Sequence, residues 1–235
     1  MVFSERPVII GHRGLGRGVV AGREENTVAS FQAAAETGAW VEIDVRRTAD
    51  DRLVVRHDAT LPDGRAVVRL PAAETGLPGL EEALAALPPG TGVNLDVKTE
   101  YEDAVAPRTV ELLAPVLRAQ TRPLFVSSFD AGALALLREA APGVPLGLIG
   151  WLRFPPAMAI SAAAHLGFQA VCLHTESFAR RDERTPEDVI AAAHAAGVEV
   201  LVWCPGAEEA VRLARAGADA FCVNDLPDFL ASFTR

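Results

Sequence analysis

The sequence predicts an α/β fold, a (β/α)8 barrel, on three observations. Short apolar runs alternate with alanine-rich amphipathic stretches, and eight such strand–helix units fill the 235 residues. The apolar runs are nearly continuous rather than alternating, which suits parallel strands buried on both faces. Glycine closes helix-like stretches at Gly38, Gly167, Gly197 and Gly217, where a left-handed residue stops a helix. A doubly wound open sheet satisfies the same alternation and is the fold alternative.

The elements follow in order. Val8–Ile10 reads as strand one, before a helix from about Asn26 to Thr37. Trp40–Val45 reads as strand two, and the turn signal Thr48-Ala49-Asp50-Asp51 folds Leu53–Val55 back onto it as a hairpin-like extension. A helix over Leu80–Leu87 completes that unit. Strand three spans Gly92–Val97, with a helix from about Tyr101 to Leu117. Strands over Leu124–Val126, Pro145–Ile149, Ala170–Leu173, Val198–Trp203 and Ala220–Val223 complete the eight. Their helices are expected at Ala131–Ala140, Pro156–His165, Pro186–Ala196, Ala207–Ala216 and Pro227–Phe233. No stretch reads as a linker, so residues 1–235 are expected to form a single domain.

Composition narrows the function. Half of the residues are apolar and 23% are charged, as in a soluble globular protein. A net charge of −9 and scarce aromatics argue against nucleic-acid binding. No apolar stretch is long enough to span a bilayer, and no basic or apolar amphipathic stretch reads as membrane docking. The N-terminus lacks a basic region followed by an apolar run, so no secretory signal is read there. Three scattered cysteines, Cys172, Cys204 and Cys222, make no disulfide framework, and a cytoplasmic location is the expectation.

In a barrel of this kind the C-terminal strand ends carry the chemistry. His12 and Arg13 follow strand one, Glu42 and Asp44 end strand two, and His57 and Asp58 follow its extension. Asp96 and Lys98 end strand three, Ser127 and Ser128 strand four, and His174 and Glu176 strand six. Trp203 and Cys204 end strand seven, and Asn224 and Asp225 strand eight. Glu42 and Asp44 lie two apart on a strand and share a face, as do Asp96 and Lys98. Three carboxylates converging in a partly buried mouth need compensation, and a hard divalent cation supplies it. All-oxygen ligands point to Mg²⁺ or Ca²⁺ rather than zinc. Taken singly, each of these residues is explained by an ordinary salt bridge or turn; their shared rim favours function. His165 and His194 lie within helices and read as surface or packing residues. Cys204 lacks an evident paired base and reads as pocket lining.

The motifs Gly11-His12-Arg13-Gly14, Glu25-Asn26-Thr27, Glu42-Ile43-Asp44-Val45, Thr48-Ala49-Asp50 and His57-Asp58 resemble those of glycerophosphodiester phosphodiesterases. Asn94-Leu95-Asp96-Val97-Lys98, Ser127-Ser128-Phe129-Asp130, Trp203 and Gly217-Ala218-Asp219 extend the resemblance along the chain. It implies a barrel of the phospholipase-C-like phosphodiesterase type with a short or absent insertion after strand two. It implies a metal-dependent hydrolase that cleaves glycerophosphodiesters, small-molecule substrates, to glycerol 3-phosphate and an alcohol. His12 and His57 match the family's catalytic pair, Arg13 and Lys98 its phosphate contacts, and Trp203 a tryptophan lining the site. Glu42 and Asp44 match two metal ligands, and Asp96 stands where the family usually carries a glutamate.

Three departures accompany the likeness. Asp96 is shorter than glutamate by roughly one C–C bond, about 1.5 Å. Cys204-Pro205-Gly206 replaces the usual Thr-Val-Asn, and only residues 58–79 separate His57 from the Leu80 helix. Two other readings follow from these departures: a lipid phosphodiesterase of phospholipase D-like type, and a catalytically weak phosphodiester-binding barrel.

Overall fold

The computed structural model describes residues 1–3, 6–99, 101–103, 107–152, 154–179 and 184–233. Eight parallel strands close into a barrel: β1 (Val8–Gly11), β2 (Trp40–Arg47), β3 (Val93–Val97), β4 (Leu124–Ser128), β5 (Leu146–Ile149), β6 (Ala170–His174), β7 (Glu199–Trp203) and β8 (Ala220–Val223). Each strand pairs with its successor, and β1 closes the ring by pairing with both β8 and β2. Leu53–Val55 adds an antiparallel strand to the far end of β2, with Val45 opposite Val55. The turn between them is held by the Thr48 N–H on the Arg52 carbonyl, with Asp51 at a left-handed φ of 60°.

The helices α1 (Val28–Glu36), α2 (Leu80–Ala85), α3 (Arg108–Arg118), α4 (Ala131–Ala140), α5 (Pro156–His165), α6 (Pro186–Ala195), α7 (Ala207–Arg215) and α8 (Leu226–Phe233) surround the barrel. Their starts are written into the sequence. The Asp130 side chain caps α4 by accepting the Gly132 and Ala133 N–H groups, and Thr185 with Asp188 forms a capping box before Pro186 on α6. The helix expected from about Tyr101 starts instead at Arg108. Residues 101–103 form a turn in which Glu102 holds Arg46, and residues 104–106 lie outside the described ones.

Two apolar layers carry the fold. The larger lies between strands and helices, with Val41, Ile43, Leu95, Leu113, Leu134 and Phe221 among its buried members. The smaller fills the N-terminal half of the barrel interior. There Phe3 is fully buried, with edge-on ring contacts to Trp40 at 6.0 Å and Phe125 at 5.4 Å. Gly147 on β5 makes room for this packing: a Cβ there would stand 2.2 Å from the Phe125 ring. Arg6 closes the same end by pairing with Glu199 and Asp219. Toward the C-terminal end the inward residues become polar: Ile10 gives way to His12 and Trp40 to Glu42 and Asp44, while Asn94 and Asp96 on β3 and Lys98 just after it are polar throughout. The barrel therefore has an apolar floor and a polar mouth.

Residues 58–79 form a short covering segment with its own small core of Leu61 and Val67 against Val54. It contains helical turns at Val67–Arg69 and Ala72–Thr75.

Candidate active site

The polar mouth opens into a cavity of about 910 Å³. Register brings its acids together. Parallel pairing of β2 with β3 sets Asp44 directly beside Asp96, and Glu42 lies two residues before Asp44 on the same face. One carboxylate oxygen from each of Glu42, Asp44 and Asp96 lies within 4.8 Å of the others. All three residues are buried, so their charges are not shared with water.

The compensation is uneven. Lys98 Nζ reaches Asp96 Oδ2 at 2.5 Å and Asp44 Oδ1 at 3.1 Å. Burial opposes the Lys98 ammonium, but Asp96, Asp44 and Glu42 together outweigh it and raise its pKa. Burial likewise opposes the Asp44 carboxylate, yet Lys98, His57 and Arg13 hold its pKa below the ordinary range. Asn26 donates to Asp44 Oδ2 at 2.8 Å. Glu42 goes the other way: burial, then Asp44 and Asp96, push its pKa well up. Burial also raises Asp96 against the pull of Lys98. Glu42 Oε1 and Asp96 Oδ1 are buried without a hydrogen-bond donor, and Asp44 Oδ1 has only the Lys98 ammonium within reach. Carboxylate oxygens converging with so few donors suit a hard divalent cation, and this set of residues fits one.

The turn after β1 delivers two more groups. Arg13 has a left-handed φ of 58°, and Gly14 follows at 97°, where any Cβ would collide with Ser30. The Arg13 N–H donates to Glu42 Oε2 at 2.7 Å, and its guanidinium reaches Glu25 at 2.7 Å and Asp44 at 3.4 Å. Burial opposes that guanidinium, and the surrounding carboxylates raise its pKa nonetheless. His12 Nδ1 lies 2.6 Å from Asn224 Oδ1, which leaves Nε2 4.0 Å from Glu42. His57 Nδ1 lies 2.7 Å from Asp58 Oδ1. Arg46, itself buried, donates to the His57 carbonyl at 2.9 and 2.6 Å and to Glu102 at 2.7 Å, which fixes the backbone under that ring.

Most of the residues expected at the rim from sequence are brought together, but His174, Glu176, Cys204, Asn224 and Asp225 are not among the described residues that line the cavity. His12, Arg13, Glu42, Asp96 and Lys98 line the cavity together with His57 and Trp203, and Asp44 lies behind them in contact with Lys98 and Arg13. Trp203 packs edge-on against His174 at 4.3 Å and Phe129 at 6.3 Å. His194 is a packing residue, paired with buried Asp219 at 2.8 Å. Cys204 departs from expectation. It sits behind His12, with Sγ 3.4 Å from Asn224 Oδ1, whereas Cys172 and Cys222 line the cavity.

Sequence reasoning assigned no role to Asn26, Asn224, Arg46 or Glu102. Asn224 was visible as a strand-end residue, but its partner lies 212 positions away. The exposed rings of Tyr101 and Trp151 at the mouth were also unread, because single loop residues carry no periodicity.

Comparisons with known proteins agree with this geometry. A model of the glycerophosphoryl diester phosphodiesterase family matches residues 12–70 and 63–227. A glycerophosphodiester phosphodiesterase of Caldanaerobacter subterraneus subsp. tengcongensis is 44% identical over 57 residues, which is 24% of this chain and 22% of that protein's length. Among solved structures, an Oleispira antarctica phosphodiesterase in complex with the product sn-glycerol-3-phosphate superposes with a TM-score of 0.81. It is 26% identical, over 97% of each chain. A glycerophosphodiester phosphodiesterase of Thermotoga maritima shares the fold with a TM-score of 0.77 at 20% identity, over 98% of this chain and 99% of its own.

Proposed function

This chain belongs to the glycerophosphoryl diester phosphodiesterase family, and we propose that it hydrolyses glycerophosphodiesters to glycerol 3-phosphate and an alcohol with the help of a divalent metal. The observation that carries this reading is the convergence of three buried carboxylates with two histidines, Arg13 and Lys98 in one cavity.

Glu42, Asp44 and Asp96 would hold the cation, which supplies Lewis-acid stabilisation of charge on a phosphoryl oxygen. Arg13 and Lys98 face the phosphate. Lys98 has three donors, two of them directed at Asp96 and Asp44, which leaves a third for substrate. His12 and His57 move the protons. Asn224 accepts from His12 Nδ1–H and so leaves the Nε2 lone pair to take the proton of the nucleophile. The Asp58 carboxylate behind His57 stabilises an imidazolium there, which suits His57 to protonating the leaving alkoxide. Each transfer contributes on the order of 10²–10⁴-fold.

The test is release of glycerol 3-phosphate from glycerophosphoethanolamine by the wild type, His12→Ala and His57→Ala. Loss of turnover in both variants supports the assignment; retention in either with metal present refutes it. The exposed rings of Tyr101 and Trp151 favour, as a second reading, a diester that bears a lipid chain. Faster turnover of a choline-bearing lysolipid than of soluble diesters would select it.

A further inference from the structure

Charge matching around the cavity singles out one side chain. Arg13 is engaged by Glu25 and Asp44, Arg46 by Glu102, and Lys98 by Asp96 and Asp44. The remaining acids of the wall are also engaged. Asp58 holds His57, and Asp130 caps α4 while accepting from Thr99 at 2.7 Å. Arg69 alone among the cations lining the cavity has a guanidinium without a carboxylate or hydrogen-bond acceptor among the described residues.

Its backbone is held in place, and its side chain stands exposed at the cavity wall. Arg69 ends the helical turn Val67–Arg69, whose first residue is fully buried in the small core of the covering segment. The Val67 N–H bonds the Ala59 carbonyl, and Thr60 pairs with Ala66, so this turn is tied to the segment that follows His57. The cavity is also large. About 910 Å³ is near the upper end for a ligand site, so room remains beyond a bound phosphate. An arginine fork on the wall of that space suits a carboxylate or phosphate, which it grips with paired donors.

Building on the phosphodiesterase reading, we propose that Arg69 forms a distal subsite for a second anionic group on the substrate. The preferred substrates are then diesters whose alcohol half carries a carboxylate or a phosphate, rather than a neutral or cationic headgroup.

The experiment compares two glycerophosphodiesters of similar size, one esterified to glycolate and one to ethylene glycol. The subsite predicts a kcat/KM at least about tenfold higher for the glycolate diester, expressed through KM, from one charge-assisted contact. Arg69→Gln brings that ratio to about one by raising KM for the glycolate diester, and Arg69→Lys restores part of it. Equal kcat/KM values for the wild type, or an equal loss on both diesters in Arg69→Gln, overturn the proposal. Calorimetric affinities of the two diesters for His57→Ala give the same comparison without turnover. Failure of hydrolysis and failure of the subsite are thereby read separately.

Discussion

The two histidines differ in what stands behind them, and that difference sets their expected sensitivities. His12 is backed by a neutral amide and His57 by a carboxylate. Replacement of either by alanine should lower kcat by about 10²–10⁴. Asn224→Ala should lower kcat with little change in KM, because Asn224 orients a ring rather than touching substrate, and Asn224→Asp should recover part of the loss by keeping an acceptor. Steady-state kinetics with one soluble diester checks all four. A larger effect on KM than on kcat in Asn224→Ala would contradict the positioning role. Most of these side chains were legible in the sequence, because His12, Arg13, Glu42, Asp44, His57, Asp96 and Lys98 each follow or end an apolar run. Their supports were not: Asn26, Asn224 and Glu102 act across 18, 212 and 56 positions, a relation that only the closed barrel creates.

At the scale of elements, packing rather than propensity decides two positions. Gly147 faces the Phe125 ring inside the barrel, so Gly147→Ala should destabilise the protein by about 1–3 kcal/mol through overpacking. Asp130→Ala removes the cap of α4 and should cost about 1 kcal/mol. Urea unfolding of both variants measures these values, and no change in midpoint would refute them. Several elements match the sequence reading residue for residue, among them Ala131–Ala140, which the Asp130 side chain caps, Pro156–His165, which starts on a proline, and Ala220–Val223. The hairpin of Val19–Val20 with Arg23–Glu24 escaped it, since two-residue strands carry no period. The covering segment 58–79 escaped too, although its brevity was plain. Its Leu61 and Val67 pack on Val54, a contact that periodicity does not reveal.

At the scale of the molecule, the barrel has to keep three acids together in a chain that already carries a net charge of −9. Eight units read from sequence close into one ring, and closure is what turns a list of strand ends into a site. Linkage then fixes the pH response. Burial raises Glu42 and Asp96, so the metal-free folded protein holds protons there more tightly than the unfolded chain does. Their contribution to stability is present below the unfolded carboxylate pKa and is lost as pH rises through the folded values. A cation replaces those protons, so the rise in Tm on adding Mg²⁺ should be larger at about pH 8 than at about pH 5. A rise that is flat or shrinks with pH would contradict this.

The most direct test of the metal-assisted site is glycerol 3-phosphate release from glycerophosphoethanolamine by chelator-treated protein during titration with Mg²⁺, Ca²⁺ or Mn²⁺. Release should be negligible without metal and recover saturably with at least one of these cations, with no recovery in Glu42→Gln. Full release in the presence of chelator, or recovery in Glu42→Gln equal to that of the wild type, would contradict a metal-assisted site.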